Sequence, residues 1–319
     1  MNEKGHRSLA IEAKDLTKRY GEEVLAVDGI SLAIETNTIY SLLGPNGAGK
    51  TTTLSLLTTL LEPTAGSAAI CGLDVVKQAK EVRRRIGVTF QETVLDEALT
   101  GRQALDFHGK LYQQSRAKRQ AKIEELLALV ELEDAADRKI RTYSGGMKRR
   151  LELIRGLMTE PDVLFLDEPT LGLDPQSRVR LGDYIMDLKE NQGLTLLLTT
   201  HYMDEAQLLS DRVGIIDHGK IVAEGTPGEL IEQMGADVIL VEGQGNSAQF
   251  VAAVESLPFT QEVSAINGVI QIAVASGSRR LVEVVSVASD NGFHIEDISV
   301  AEPNLGDVFL KYTGRQFRD

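Results

Sequence analysis

The stretch GPNGAGKTTTL, Gly44 to Leu54, constrains the fold more than any other part of the chain. It joins a short apolar run, Ile39 to Leu43, to Leu54, Leu57, Leu60 and Leu61, which recur at helical spacing. That order predicts a strand, a glycine-rich turn and a helix. Having no Cβ, Gly44, Gly47 and Gly49 can adopt φ > 0. The turn, with Pro45, Asn46 and Ala48 between them, can then converge its N–H groups beside the positive end of the helix. Such a concavity favours an anion. Lys50 adds a positive charge for terminal phosphates, the Thr51 hydroxyl can ligate Mg²⁺, and Thr52 follows in the first turn of the helix. This is the G-x-x-x-x-G-K-[ST] spacing of a phosphate loop. A flexible turn could match it by accident, but a strand before and a helix after point to nucleotide binding.

A chain of 319 residues exceeds what one core usually serves, so two domains are expected. The net charge of −13 speaks against a broad nucleic-acid surface, and no nucleic-acid partner is expected. The N-terminal MNEKGHRS has no apolar signal segment, and no apolar run approaches the roughly 20 residues that span a bilayer. A cytoplasmic protein that is not itself a channel is expected. A single cysteine, Cys71, excludes an internal disulfide and a multi-cysteine zinc site and reads as a small buried hydrophobe.

Three textures follow one another. To about Gln91, strands alternate with turns; from Glu92 to Met158 the pattern is almost wholly helical, with Thr100 as an N-cap and Ile123, Leu126, Leu127 and Val130 on one face. Strands return in DVLFLD, LTLLLTT and DRVGIIDHGKIVAEG, the last a hairpin turning at His218 and Gly219. Short apolar strands alternating with helices imply a largely parallel, buried sheet. Residues 1–235 are thus expected to form an α/β nucleotide-binding domain with a helical subdomain over about 92–158. Residues 236–319 carry the order β-α-β-β-α-β and predict a small α+β, ferredoxin-like domain closed by the helical LGDVFLKYTG.

The strand DVLFLDEPT ends on two adjacent carboxylates. Neighbouring side chains on a strand point opposite ways. Asp167 could therefore orient Mg²⁺ while Glu168 faces the attacking water as a base, the division phosphoryl transfer requires. Alone, the pair could equally cap the next turn; a phosphate loop in the same domain favours chemistry. Upstream, Ser144, Gly145 and Gly146 precede a helix and offer a second anion site without a lysine, or simply a helix cap.

These segments together resemble the nucleotide-binding subunits of ATP-binding cassette (ABC) transporters, over roughly residues 9–230. The resemblance implies Tyr20 as the aromatic that stacks on adenine, Gly44 to Thr51 as the Walker A, and Gln91 as a glutamine contacting Mg²⁺ and the membrane partner. SGGM is similar to the family signature, with Met147 where glutamine is common, LFLDE to the Walker B, LGLDPQ with Asp174 to the D-loop, and His201 to the switch histidine. It further implies bound ATP and Mg²⁺, and a head-to-tail dimer in which one chain's phosphate loop and the other's signature sandwich each ATP. Separately encoded permease subunits would hold the chain at the inner face of the cell membrane. The segments DEALTGRQALDFHGKLY and PNLGDVFLKYTGR resemble the drug-export branch typified by daunorubicin-resistance exporters. The rival expectation is a soluble, non-transport ABC ATPase acting on a macromolecular partner.

Overall fold

The computed structural model describes residues 8–21, 23–91, 94–233, 237–266, 269–274, 277–301 and 303–314. Its contacts divide the chain into two units, residues 1–227 and 228–318.

The first unit runs through β1 (Leu9–Tyr20), β2 (Val24–Glu35), β3 (Ile39–Leu43), α1 (Lys50–Leu57), β4 (Ala65–Ile70), β5 (Leu73–Asp74), α2 (Ala79–Arg85) and β6 (Ile86–Thr89). A helical stretch follows, with α3 (Gly101–Leu111), α4 (Arg116–Leu129) and α5 (Gly145–Leu157). Then come β7 (Val163–Asp167), α6 (Pro175–Gln192), β8 (Thr195–Thr200), α7 (Met203–Leu209), β9 (Arg212–Asp217) and β10 (Lys220–Gly225). Among the described residues the main sheet has six strands in the order β10-β9-β3-β8-β7-β6, parallel except for the β9–β10 hairpin. Every residue of β3, β7 and β8 is buried, as expected of strands covered on both faces. His218 and Gly219 turn the hairpin with φ of 46° and 78°, the left-handed pair that a tight hairpin favours.

A second, antiparallel sheet of order β2-β1-β4-β5 was not anticipated. It shares a core with α1 and one face of the main sheet, through Ile11, Leu16, Leu54, Leu57, Leu42 and Phe165. The other face packs Leu164, Leu166, Leu196 and Leu198 against Leu105, Ile123, Leu126 and Ile154 of the helical stretch. That stretch is therefore one layer of a continuous core. It is also less helical than expected, since residues 94–99 form no helix. Thr100 does cap α3, in a capping box with Gln103. Helix α1 ends at Leu57 and Thr59 turns with φ 65°, so Leu60 leaves the helical stripe and is 56% exposed.

The second unit begins in α8 (Pro227–Glu232), eight residues before the boundary read from the sequence (235 − 227). It continues through β11 (Asp237–Gly245), α9 (Ser247–Glu255), β12 (Thr260–Ile266), β13 (Val269–Val274), α10 (Gly277–Asp290), β14 (Phe293–Ala301) and α11 (Leu305–Thr313). Gln233, just past α8, accepts from Lys311 Nζ on its carbonyl at 2.9 Å and from the Tyr312 hydroxyl on its side chain at 3.1 Å. Those bonds tie the first turns of the unit to α11. The sheet order β12-β13-β11-β14, antiparallel throughout, is the ferredoxin-like arrangement, and Phe250 stacks on Phe293 at 4.8 Å between centroids in its core. Leu305, Val308 and Phe309 of α11 are buried. Among the described residues no helix is long and apolar enough to cross a membrane.

Candidate functional site

The site forms at the carboxyl ends of the parallel strands, where helix N-termini and loop amides converge. The turn between β3 and α1 is braced by backbone bonds: Gly44 N–H donates to Thr200 O at 3.2 Å, and Gly219 N–H donates to Ala48 O at 2.9 Å. Gly47 and Gly49 have φ of 81° and 108°, as expected. Gly44 has no such φ; its glycine is required because a Cβ there would lie 2.4 Å from the Ile216 carbonyl oxygen. Pro45 is half-buried, Asn46 exposed, Ala48 buried and Thr52 half-buried at the start of α1.

Lys50 is buried, and its ammonium donates to Gly44 O at 2.8 Å and Pro45 O at 3.2 Å. Glu168 Oε1 lies 3.2 Å from the same nitrogen, and its Oε2 lies 3.2 Å from His201 Nδ1. Burial lowers the Lys50 pKa, opposed by the Glu168 carboxylate. Thr51 Oγ1 donates to Asp167 Oδ2 at 3.0 Å, and Thr199 Oγ1, from the strand between β3 and β7, donates to Asp167 Oδ1 at 2.5 Å. Both carboxylates thus belong to one site, though not by the expected alternation. Asp167 ends β7, but Glu168 has φ 45°, a backbone bend that re-aims its side chain. The Glu168 N–H donates to both Thr199 O at 3.1 Å and Thr199 Oγ1 at 3.0 Å, which holds that bend.

His201 is backed by Tyr202, with ring centroids 4.2 Å apart, and the Arg178 guanidinium of α6 lies 4.0 Å over the Tyr202 ring. Thr200 Oγ1 donates to the buried Glu205 carboxylate, whose pKa burial raises. Tyr20 ends β1, is 43% exposed, and has Lys18 Nζ 5.5 Å from its ring centroid. Gln91 is exposed just beyond β6.

Ser144, Gly145 and Gly146 open α5 at the surface. Ser144 is its N-cap, accepting from Met147 N–H at 3.2 Å, and Met147 packs on the core below. Asp174 caps α6, accepting from Ser177 N–H at 3.0 Å and Ser177 Oγ at 2.6 Å, bonds that hold its carboxyl below the usual range. A Cβ on Gly146 would come within 2.8 Å of Ser177 Oγ, which places the α5 N-terminus against α6. Lys50, Thr51, Asp167, Glu168 and His201 are therefore linked directly by contacts, whereas Ser144 to Gly146 and Asp174 form a separate exposed edge.

Sequence reading missed Thr199, Glu205, Arg149 and Glu152. The signal for the last two was a charged i, i+3 pair within the apolar run of α5; both are buried.

A model of the ABC transporter family matches residues 27–171. Over 309 residues, 96% of each chain, the sequence is 42% identical to the daunorubicin resistance ATP-binding protein DrrA3 of Streptomyces coeruleorubidus. It is 40% identical to the Nod factor export ATP-binding protein I of Burkholderia orbicola, covering 97% of this chain and 98% of that one. The ATP-binding cassette MJ0796, solved as a dimer in a post-hydrolysis state bound to ADP and Pi, superposes with a TM-score of 0.62 at 27% identity. That match covers 68% of this chain and 98% of the cassette. On the phosphate loop, the strand-end carboxylates and these likenesses together, the chain belongs to the ABC transporter family and is one of its ATP-binding, ATP-hydrolysing proteins.

Proposed function

We propose that this ATPase powers export of a drug-like or otherwise hydrophobic compound, working as a head-to-tail pair of copies beneath separately encoded membrane subunits. The observation that carries the pairing is the division of the site: phosphate-loop, base and switch residues touch one another, while the signature end of α5 is exposed apart from them. In the pair, Ser144, Gly145 and Gly146 of one copy would meet the γ-phosphate held by the other, with Asp174 beside them. The export direction draws on relatives named for drug resistance and for Nod factor export.

Thr51, Asp167 and Gln91 offer a hydroxyl, a carboxylate and an amide oxygen, the hard donors Mg²⁺ prefers, and Thr51 and Asp167 are already in contact. When bound, the ion supplies charge neutralisation at the phosphates. Lys50 binds the terminal phosphates, the exposed Tyr20 ring offers a face for adenine, and Glu168 accepts the proton of the attacking water. His201 holds the free oxygen of Glu168 in line, with Tyr202 and Arg178 fixing its ring.

The membrane subunits would dock beside the Gln91 loop. There Leu60, Val94 and Tyr112 are exposed around a cavity of about 270 Å³ that Arg83, His108 and Arg155 also line. Mixing decides the pairing. In a Lys50→Ala chain paired with a Ser144→Arg chain, one composite site keeps both native halves, so partial ATPase activity returns on mixing; proven mixed pairs without activity refute the sandwich. Co-purification with a membrane protein encoded beside this chain tests the permease.

A further inference from the structure

Helix α5 carries into the interior a charged pair that the phosphate contacts above do not use. Arg149 is 6% exposed and Glu152 is fully buried. A buried guanidinium is tolerated only when its donors are matched. Here Nε donates to Pro169 O at 2.6 Å, and Nη2 donates to Asp167 O and Glu168 O at 2.8 Å each. Nη1 donates to Phe90 O at 2.7 Å and to Glu152 Oε2 at 3.2 Å, with Gln91 O at 3.5 Å. Glu152 then reaches the far side of the same loop, where its Oε1 accepts from Val94 N–H at 2.8 Å. One side chain thus gathers the carbonyls of the segment bearing both site carboxylates and those of the loop bearing Gln91. Its acid partner pins that loop again three residues beyond Gln91.

We propose that Arg149 and Glu152 are a positioning pair that locks the backbone of Asp167–Glu168 and the Gln91 loop to helix α5, so that Glu168 keeps the backbone bend that aims its carboxylate. The acceptors are almost all backbone carbonyls, so the lock depends on the arginine and not on the identity of the residues it holds. Only a planar fork with five donors fits carbonyls arriving from two segments; a lysine is a point charge with three donors on one atom. Glu168 needs such support because its φ of 45° is otherwise strained. The inference rests on ATP hydrolysis by the chain and is independent of how copies pair.

The full-length chain carrying Arg149→Lys or Glu152→Gln tests it, with kcat, KM for Mg-ATP, equilibrium affinity for a fluorescent ATP analogue and thermal midpoint measured on each. Arg149→Lys is expected to leave nucleotide affinity within about twofold and lower kcat by about tenfold or more, the scale that small misplacements of a reacting group produce. Glu152→Gln keeps the shape and the acceptor for Val94 while removing the charge, and lowers kcat by about threefold at constant affinity. A kcat per folded molecule unchanged in both variants, with only the thermal midpoint lowered, overturns the proposal and leaves the pair as packing. So does a kcat that falls only in step with affinity. Should Arg149→Lys fail to fold, Glu152→Gln alone decides. The wild-type rate is measured first, so a chain without ATPase activity is separable from a failed positioning pair.

Discussion

Helix α1 begins behind a glycine and α5 begins on two, and both are read from sequence as anion sites, yet the protein builds them in opposite ways. At α1, a Cβ on Gly49 would lie 2.4 Å from the Ala26 carbonyl oxygen, Lys50 is buried, and its ammonium is held by two carbonyls and a carboxylate. At α5, a Cβ on Gly145 would meet nothing within 4 Å and Ser144 is exposed. The first is a buried, internally bonded turn within one chain. The second is an exposed edge, which the proposed pairing would complete. A helix N-terminus by itself does not say which of the two it is; the burial of the side chain at its first turn, complete at Lys50 and lacking at Ser144, does.

The largest effect should come from Glu168, the proposed base, which touches Lys50 of α1. Glu168→Gln is expected to cut turnover by ~10²–10⁴-fold, the usual yield of general base catalysis, with ATP affinity almost unchanged. Phosphate release and equilibrium binding measure the two separately, and an equal loss of affinity would assign the carboxylate to binding instead. Next, Lys50→Ala should weaken ATP binding by roughly 10–100-fold through loss of charge-assisted hydrogen bonds to phosphate. An unchanged Kd in a titration would remove the contrast between the two helices.

A smaller effect, of different kind, belongs to α5. Gly145→Asp has room for its side chain, so the fold should hold. Turnover is expected to fall by about tenfold as like charge meets phosphate, with the isolated chain's ATP affinity unaltered. If affinity falls as much as turnover, both helix ends serve the same nucleotide in one chain and the comparison breaks.

The smallest effect sharpens the comparison through stability. Burial, with help from Arg155 of α5, pushes His108 from 6.5 down to about 4. The imidazole is therefore neutral when folded but protonated when unfolded between those values, and stability present above pH 6.5 is lost as pH falls toward 4. The half-buried ring limits the loss to about 1–2 kcal/mol. Urea denaturation at pH 7 and pH 5 should show a smaller drop for His108→Gln than for the wild type; equal drops would exclude the histidine as the source.

Local chemistry was legible and long-range pairing was not. The phosphate loop, the Thr100 cap and the His218–Gly219 turn are each written in a few adjacent residues, and each is present. The pairing of Ile11 with Ile70, which creates the second sheet, joins strands with no local mark of partnership. Asp167 and Glu168 were singled out for their chemistry, and they do lie against Thr51 and Lys50, but the geometric reason offered, strand alternation, fails at a residue with φ 45°. Arg149 escaped notice because MKRRLELI looks like an ordinary amphipathic helix; only burial distinguishes a charge facing solvent from one holding carbonyls. Glu296 and Asp297, a second adjacent acid pair, are exposed on β14.

The main-chain bracing of the phosphate loop shapes which substitutions the protein can tolerate. A side chain at Gly44 would strike the Ile216 carbonyl, one at Gly49 the Ala26 carbonyl, and one at Gly219 would sit 3.0 Å from that same Ala26 oxygen with φ 78°. None of these glycines presents a reactive group, and Gly219 lies in a hairpin distant in sequence from the loop. Selection for activity across a saturation library should therefore leave all three nearly invariant while His218, next in line and 73% exposed at its side chain, exchanges with residues such as Asn, Asp and Gly that accept its φ of 46°. Steric exclusion written into the backbone would pass for a catalytic signature to anyone who ranks positions by tolerance alone.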